Sequence, residues 1–159
     1  MFYFIADTHF GHQNIKEYFN RPENFEALIL KNLELYCPNN VVLVHLGDFA
    51  LCEIDYWHKE FFKITKNKNI KTWLIRGNHD RETNTYYLTQ GWDFVGDKVI
   101  FGYNGYDVVL THKPIEVNVG EINIHGHLHN LGQDDKNHKL VYLEHKYEPI
   151  ALKKLIGGK

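Results

Sequence analysis

Short apolar runs alternate with segments of helical periodicity along the first half of the chain. Residues 2–6, 41–46 and 72–75 predict three strands, and the β-branched run at 41–46 is typical of a strand that is buried on both faces of a sheet. Apolar residues at helical spacing predict one helix over residues 25–36 and another around residues 57–64. The resulting β-α-β-α-β order predicts a parallel sheet with right-handed crossovers.

The second half has shorter strands and tighter turns. Residues 98–101 and 106–110 predict the two strands of a hairpin around the Asn104-Gly105 turn. Residues 122–124 and 140–143 predict two further strands. We therefore expect an α/β fold in which a mixed sheet, or two sheets packed together, has helices on the outside.

A polar signature follows five of the predicted strands at their carboxyl ends. Each signature alone is weak evidence, because Gly, Asn and Asp also form turns and helix caps. In sheets with this winding, however, ligands bind beyond the carboxyl ends of the strands, so we expect the five signatures to meet in one cleft. They are ADTHFGH from residue 6, LGDF from residue 46, RGNHD from residue 76, THKP from residue 111 and HGHLH from residue 125.

The side chains in these signatures are of the kinds that bind metal ions. Carboxylate, amide and imidazole donors together suit Mn²⁺, Fe²⁺ or Zn²⁺, whereas Mg²⁺ and Ca²⁺ prefer oxygen throughout. Seven donors exceed the need of one ion and suit two ions that share a bridging carboxylate. The seven are Asp7, His9, Asp48, Asn78, His112, His127 and His129.

Composition narrows the remaining classes of protein. The 159 residues, 43% hydrophobic and without a linker or repeat, predict one domain over residues 1–159. A net charge of -2 lacks the positive field of a general nucleic-acid binder, so a nucleic-acid partner is not favoured. No apolar run approaches the length of a membrane span or a signal peptide, and Cys37 and Cys52, which we expect to be buried, suit a reducing compartment. We therefore expect a cytoplasmic protein with no membrane partner.

The order of the signatures resembles that of the calcineurin-like metallophosphoesterases. The resemblance implies a four-layer αββα sandwich, and the stretches DTHFGH and HLGDF are similar to small bacterial and phage-type phosphoesterases, which implies no cap domain. The matching blocks are Asp7-x-His9, Gly47-Asp48, Gly77-Asn78-His79-Asp80, His112 and Gly126-His127-x-His129.

The resemblance also implies two metal sites, joined by Asp48 as a bridging ligand. Mn²⁺ is the expected ion, with Fe, Zn and Ni as alternatives. One site would be formed by Asp7, His9, Asp48 and His129, and the other by Asp48, Asn78, His112 and His127.

Four further residues are predicted near the substrate. His79 would stand beside the phosphate and donate a hydrogen bond or a proton to the leaving oxygen. Asp80 would either orient this catalytic histidine or cap a helix that begins near Glu82. His12 and Arg81 are candidates for binding the phosphate, together with Asn78.

These expectations lead to a functional hypothesis with two alternatives. The hypothesis is hydrolysis of a phosphate ester, with a phosphodiester or a nucleotide favoured over a monoester, by a metal-bridging hydroxide. The alternatives are a nuclease and a non-catalytic metal-binding scaffold of the same fold. The oligomeric state is left open.

The remaining histidines are assigned to structure. His45, inside a predicted strand, should be a hydrogen-bonded core residue. We expect His125 to pack at a strand end or to support a ligand, and His58, His138 and His145 to lie at the surface. The ligating histidines should have carboxylates or carbonyls as partners of their second ring nitrogen.

Overall fold

Two β-sheets form the centre of the computed structural model, which describes residues 1–157. A short 3₁₀ turn at His129–Leu131 lies between the strands Glu121–His125 and His138–Leu140. The elements are β1 (Phe2–Ile5), α1 (Ile15–Phe19), α2 (Phe25–Tyr36), β2 (Val42–His45), α3 (Ile54–Asn67), β3 (Lys71–Ile75), α4 (Asn84–Gln90), β4 (Phe94–Gly96), β5 (Lys98–Tyr103), β6 (Tyr106–Thr111), β7 (Glu121–His125), β8 (His138–Leu140), β9 (Ile150–Ala151) and α5 (Leu152–Ile156).

The first sheet has the strand order β4-β3-β2-β1-β9 and the second has the order β5-β6-β7-β8. In the first sheet, β1 to β4 are parallel and only β9 is antiparallel to its neighbour. In the second sheet, β5 and β6 form an antiparallel hairpin, while β7 and β8 continue in parallel. The predicted parallel first half and the predicted α/β class with mixed sheets are both confirmed.

Alternating residues of the first sheet face two different cores. Ile5 and Leu43 point outward and pack against Leu33 of α2 and Phe61 of α3. Burying an aliphatic side chain of this size stabilises a fold by about 1.5–3 kcal/mol, so the outer core fixes the helices firmly on the sheet. The other set from the first sheet meets residues of β6 and β7 in the core between the two sheets: Phe4, Ala6, Val44, Leu46 and Ile75 from the first sheet, and Val108, Leu110 and Ile124 from the second.

Most predicted elements are present, and the errors have physical reasons. Residues 25–36 form α2 as predicted, and the Asn104-Gly105 turn joins β5 to β6. The strand predicted over residues 140–143 is wrong, because β8 ends at Leu140 and the next apolar residues, Val141 and Leu143, enter the inner and outer core respectively from an irregular segment. β4 and β9, with three and two residues, were too short to give a sequence signal.

Two predictions about burial need correction. His58 is buried, not at the surface, because it lies one turn from Ile54 and Phe62 on the apolar face of α3. Its ring stacks against Phe49 at 4.5 Å, and its Nε2 accepts a hydrogen bond from Trp92 Nε1. Among the cysteines, Cys37 is buried as expected but Cys52 is exposed.

Two predictions concern the whole chain, namely that it has no membrane span and that it forms one domain. No helix in the described residues is long and apolar enough to cross a membrane. The predicted single domain includes residues 158 and 159, which lie outside the described residues.

Candidate metal centre

The five polar signatures meet at the carboxyl ends of β1, β2, β3, β6 and β7, as predicted. Backbone hydrogen bonds tie the loops to one another: Asp7 N donates to Gly47 O at 2.9 Å, and Gly126 N donates to His112 O at 3.0 Å. His127 N donates to Asp7 Oδ2 at 2.8 Å, which connects the first sheet to the second. The cleft therefore lies at the end of the two packed sheets where these five strands reach their carboxyl ends.

Two groups of potential ligand atoms form in this cleft. The first cluster consists of Asp7, His9 and His129, and the second cluster consists of Asp48, His112 and His127. Within each cluster the ligand atoms lie within 4.8 Å of one another. All six residues were predicted as metal ligands from the sequence.

Asp48 of the second cluster also approaches the first cluster. Its Oδ2 is 3.4 Å from His112 Nε2 in the second cluster and 3.7 Å from His9 Nε2 in the first. Its Oδ1 accepts a hydrogen bond from His79 N at 2.8 Å. One carboxylate oxygen is thus directed at both clusters while the other is fixed to the backbone.

The second cluster directs lone pairs at a common point. His112 Nδ1 lies 2.7 Å from Leu46 O, and because a carbonyl can only accept, Nδ1 carries the proton and leaves a lone pair on Nε2. This Nε2 faces His127 Nδ1 at 3.1 Å and Asn78 Oδ1 at 3.2 Å, besides the Asp48 carboxylate. Although burial lowers it, the neighbouring Asp48 carboxylate raises the pKa of His112 because it favours a positive charge at this point of the cluster.

The first cluster has buried polar atoms without a hydrogen-bond partner. These atoms are Asp7 Oδ1 and both ring nitrogens of His9. Burial raises the pKa of Asp7 to about 7 and lowers the pKa of His9 to about 2. A divalent cation would satisfy Asp7 Oδ1 and one ring nitrogen of His9 and would favour the ionised carboxylate and the neutral imidazole, so the residues fit a metal ion.

The backbone of the ligand residues is strained. Left-handed backbone is uncommon for residues with a side chain, and such strain clusters at functional sites. Glycines also allow close approach: a Cβ on Gly77 would collide with the Asp48 carboxylate, and one on Gly126 would lie 2.5 Å from Asp7 Oδ2. The residues with φ between 48° and 69° include Asp7, His9, Asp48, His127 and His129.

Two predicted substrate residues lie beside the first cluster. The His79 ring centroid is 5.4 Å from that of His9 and 6.2 Å from that of His12. The Nδ1 atoms of His79 and His12 are buried without a hydrogen-bond partner, and burial lowers the pKa of His12. Arg81 is exposed, and its backbone N donates to His79 O.

Asp80 is hydrogen-bonded to three backbone amides and does not cap the helix predicted near Glu82. Its Oδ2 accepts hydrogen bonds from Asp48 N at 2.7 Å and Gly77 N at 2.8 Å, and its Oδ1 accepts one from Phe49 N at 3.0 Å. The capping alternative is wrong, because Thr83 caps α4 by accepting from Tyr86 N. The orienting role towards His79 stays a prediction, while the contacts themselves join two ligand-bearing loops.

Two residues of the site gave no sequence signal. Glu144 Oε1 lies 3.0 Å from His129 Nδ1 and accepts hydrogen bonds from Arg21 Nε at 2.9 Å and Arg21 Nη2 at 2.6 Å. Arg21 and Glu144 are separated by 123 positions, so no local motif could connect them. Although burial raises it, the hydrogen bonds from His129 and Arg21 hold the pKa of Glu144 below its usual range.

The structural assignments of His45 and His125 agree with their surroundings. His45 is fully buried, its Nδ1 accepts from Gly47 N, and its Nε2 lies 2.9 Å from Thr8 Oγ1. His125 is buried, with Nδ1 2.9 Å from Gly126 O. The expected carboxylate and carbonyl partners are also present, as Glu144 beside His129 and Leu46 O beside His112.

Known proteins share both the sequence pattern and the fold. An uncharacterized protein of Methanocaldococcus jannaschii is 32% identical over 135 residues, which are 80% of this chain and 68% of that protein. The crystal structure of a protein of unknown function from Aquifex aeolicus superposes with a TM-score of 0.77 at 26% identity, covering 97% of this chain and 96% of the other.

Two solved structures with lower identity share the fold. The nuclease MPE of Pseudomonas putida superposes with a TM-score of 0.50 at 23% identity, covering 79% of this chain and 60% of the other. The E. coli phosphoesterase Yfce superposes with a TM-score of 0.55 at 12% identity, covering 89% of this chain and 77% of the other. A model of the calcineurin-like phosphoesterases matches residues 1–153. With nearly all of its residues matched, the chain belongs to the calcineurin-like phosphoesterase family.

Proposed function

We propose that this protein is a metal-dependent phosphohydrolase that cleaves a phosphodiester or a nucleotide in preference to a simple monoester. The observation that carries the proposal is the pair of donor clusters, with Asp48 of the second also approaching the first. Membership of the family supports the hydrolase class. The preference for a diester rests on our expectation that no cap domain covers the cleft, since an open cleft would accommodate two ester substituents.

The residues fit two divalent ions, with Mn²⁺ preferred because the donors mix carboxylate, amide and imidazole. Such ions would supply a Lewis acid for the phosphate and lower the pKa of a bound water from about 16 to about 7. Asp48 would contribute to both sites, and Asn78 would add its amide oxygen to the second. The first site would be completed by Asp7, His9 and His129, and the second by His112 and His127.

His79 would act as the proton donor in this reaction. Its backbone N donates to Asp48 Oδ1, which holds the His79 backbone beside the shared carboxylate. Water would form the new bond to phosphorus and release one proton to solvent, while the ester bond breaks and the leaving oxygen takes a proton from the His79 ring, which regains one from solvent. Asn78 would orient the phosphate, and His12 and Arg81 would donate hydrogen bonds to its free oxygens.

The substrate we propose is small. A net charge of -2 gives little attraction for a nucleic-acid backbone, so a nuclease is the less favoured alternative. Activity that falls steeply with salt would indicate several phosphate contacts and would favour a nuclease. We also place the enzyme in the cytoplasm, a proposal supported by two free cysteines.

The test is hydrolysis of two chromogenic substrates by chelator-stripped protein before and after addition of Mn²⁺. We expect Mn²⁺-dependent release of nitrophenol, faster from bis-p-nitrophenyl phosphate than from p-nitrophenyl phosphate. Faster cleavage of the monoester would reverse the substrate preference. No cleavage of either substrate by protein that binds two ions would favour a scaffold.

A variant pair tests the role of His79. His79→Ala should lower turnover about 10²- to 10⁴-fold with both ions retained, because it removes the proton donor and no predicted ligand. His145→Ala, at an exposed histidine outside both clusters, is the matched control and should retain full activity. Equal turnover of the two variants would remove His79 from the mechanism.

A further inference from the structure

We propose that Arg21 and Glu144 are positioning residues that hold the first cluster in the geometry needed to bind a divalent ion. Glu144 would orient the His129 imidazole, and Arg21 would fix the backbone that carries Asp7. The inference rests on the proposed function in one respect, namely that the first cluster binds an ion. It concerns ion affinity and makes no assumption about which ester is cleaved.

The contacts of Glu144 determine which nitrogen of His129 can bind an ion. A carboxylate only accepts hydrogen bonds, so the 3.0 Å contact assigns a proton to His129 Nδ1 and leaves the lone pair on Nε2. Phe19 stacks on the same ring with centroids 3.7 Å apart, which restricts its rotation. A carboxylate behind a ligating histidine also makes the imidazole a stronger ligand.

The contacts of Arg21 restrain the strained turn after β1. Its side chain is fully buried, and its Nη2 and Nη1 donate to Asp7 O at 2.7 Å and Thr8 O at 2.9 Å. Asp7 and His9, on either side of Thr8, both have left-handed backbone. Such conformations persist only where the surroundings fix them, and the planar guanidinium fixes two successive carbonyl groups.

A buried ion pair is a poor means of stabilising a core. Replacing one by apolar residues of similar volume often leaves stability unchanged or improves it, because both charges must be removed from water. The Arg21–Glu144 pair has side chains that are 0% and 5% exposed. Its contacts with the first cluster indicate a role in positioning, since the three contacts named above end on His129, on Asp7 and on Thr8 between Asp7 and His9.

Isothermal titration calorimetry of the chelator-stripped full chain with Mn²⁺ tests this role. Wild-type protein should bind two ions. Glu144→Gln and Arg21→Lys should each bind one ion with unchanged affinity and the other about 10- to 100-fold more weakly. Two ions bound by both variants with wild-type affinity would overturn the proposal.

A double variant separates positioning from stability. Glu144→Gln alone leaves the Arg21 charge buried without its partner, whereas Arg21→Met combined with Glu144→Gln removes both charges. The double variant should therefore regain stability but keep the weakened ion site. Recovery of ion affinity together with stability would show a merely structural role and would overturn the inference.

Trp92→Phe provides a matched control for loss of a buried hydrogen bond. It removes the contact with His58 in the outer core and should lower stability without changing either Mn²⁺ affinity. Failure of the proposed function gives a different result. Wild-type protein that binds two ions but cleaves neither substrate would refute the phosphohydrolase activity, while ion binding by the variants would still test the role of Arg21 and Glu144. Wild-type protein that binds no ion would overturn both.

Discussion

The loops that carry Asp48 and Gly77 are joined by one buried carboxylate, and the substitution Asp80→Asn tests how much this junction matters. Asp80 is 4% exposed, and its two oxygens accept hydrogen bonds from Asp48 N, Phe49 N and Gly77 N. An asparagine fits the same space but has only one oxygen. Its NH₂ group must then face at least one backbone N–H, from which it cannot accept a hydrogen bond.

The magnitude follows from this count of acceptors. The best orientation keeps the oxygen towards Asp48 N and Gly77 N and turns the amide towards Phe49 N, which leaves one buried donor unpaired at a cost of about 1–3 kcal/mol. Loss of charge weakens the two remaining hydrogen bonds, but burial raises the pKa of Asp80, so removing the charge also relieves a desolvation cost. We take these two effects to offset each other and expect a net loss of about 1–3 kcal/mol.

The assay is urea unfolding of chelator-stripped protein, followed by circular dichroism at neutral pH, because bound ions would add their own stabilisation. Asp80→Ala should cost more than Asp80→Asn, since none of the three amides keeps an acceptor. Asp93→Asn is the matched control: Asp93 accepts a hydrogen bond from Thr72 N away from the cleft and is partly exposed, so its loss should be smaller.

Two results would refute this reasoning. Unfolding of both Asp80 variants at the wild-type urea concentration would show that the three hydrogen bonds contribute nothing. Wild-type stability and ion affinity together with a large loss of turnover in Asp80→Asn would instead support the orienting role towards His79.

Three other outcomes are expected. Burial lowers the pKa of His58 to about 4, so between pH 6.5 and 4 the unfolded chain binds a proton at His58 that the folded chain does not, and stability falls as the pH falls. In urea titrations compared across that range, His58→Phe should remove up to about 3 kcal/mol of this loss. Gly126→Ala places a Cβ 2.5 Å from Asp7 Oδ2 and should abolish one ion site in calorimetry. Mn²⁺ at about 100 times its dissociation constant should stabilise stripped protein by about 2.7 kcal/mol per site, and an unchanged melting temperature would contradict ion binding to the folded state.

The sequence predicted the sheets well because their signals are local. A buried strand appears as an apolar run and α2 as a helical repeat, and both patterns lie within a few residues of the chain. The strand predicted over residues 140–143 failed because burial, not pairing, makes Val141 and Leu143 apolar. His58 was misassigned because its residue type suggested the surface, although its spacing from Ile54 and Phe62 placed it on the buried face of α3.

The ligand candidates were recognisable for the same reason. Each follows a strand end in a short polar signature, and parallel strands bring those ends together. Arg21 and Glu144 have no such signature, since their contacts connect segments 123 positions apart. The residues that face the cleft could therefore be predicted from the sequence, whereas Arg21 and Glu144 behind them could be recognised only in the folded structure.

Three buried polar residues support the cleft from behind in the same physical manner. Asp80 accepts from the amides of the Asp48 and Gly77 loops, Arg21 donates to the carbonyls of the Asp7 loop, and His45 joins Gly47 N to the Thr8 side chain. Apart from the ion pair of Arg21 with Glu144, these hydrogen bonds end on backbone or on a neighbouring hydroxyl, so the ligand side chains stay free to face one another. Because the lone pairs of these side chains repel when no cation is present, the loops need restraint that does not come from the ligands themselves. Loss of one supporting residue should therefore weaken ion binding at the loop it holds more than at the other cluster, and this locality distinguishes support of the site from general stabilisation of the fold.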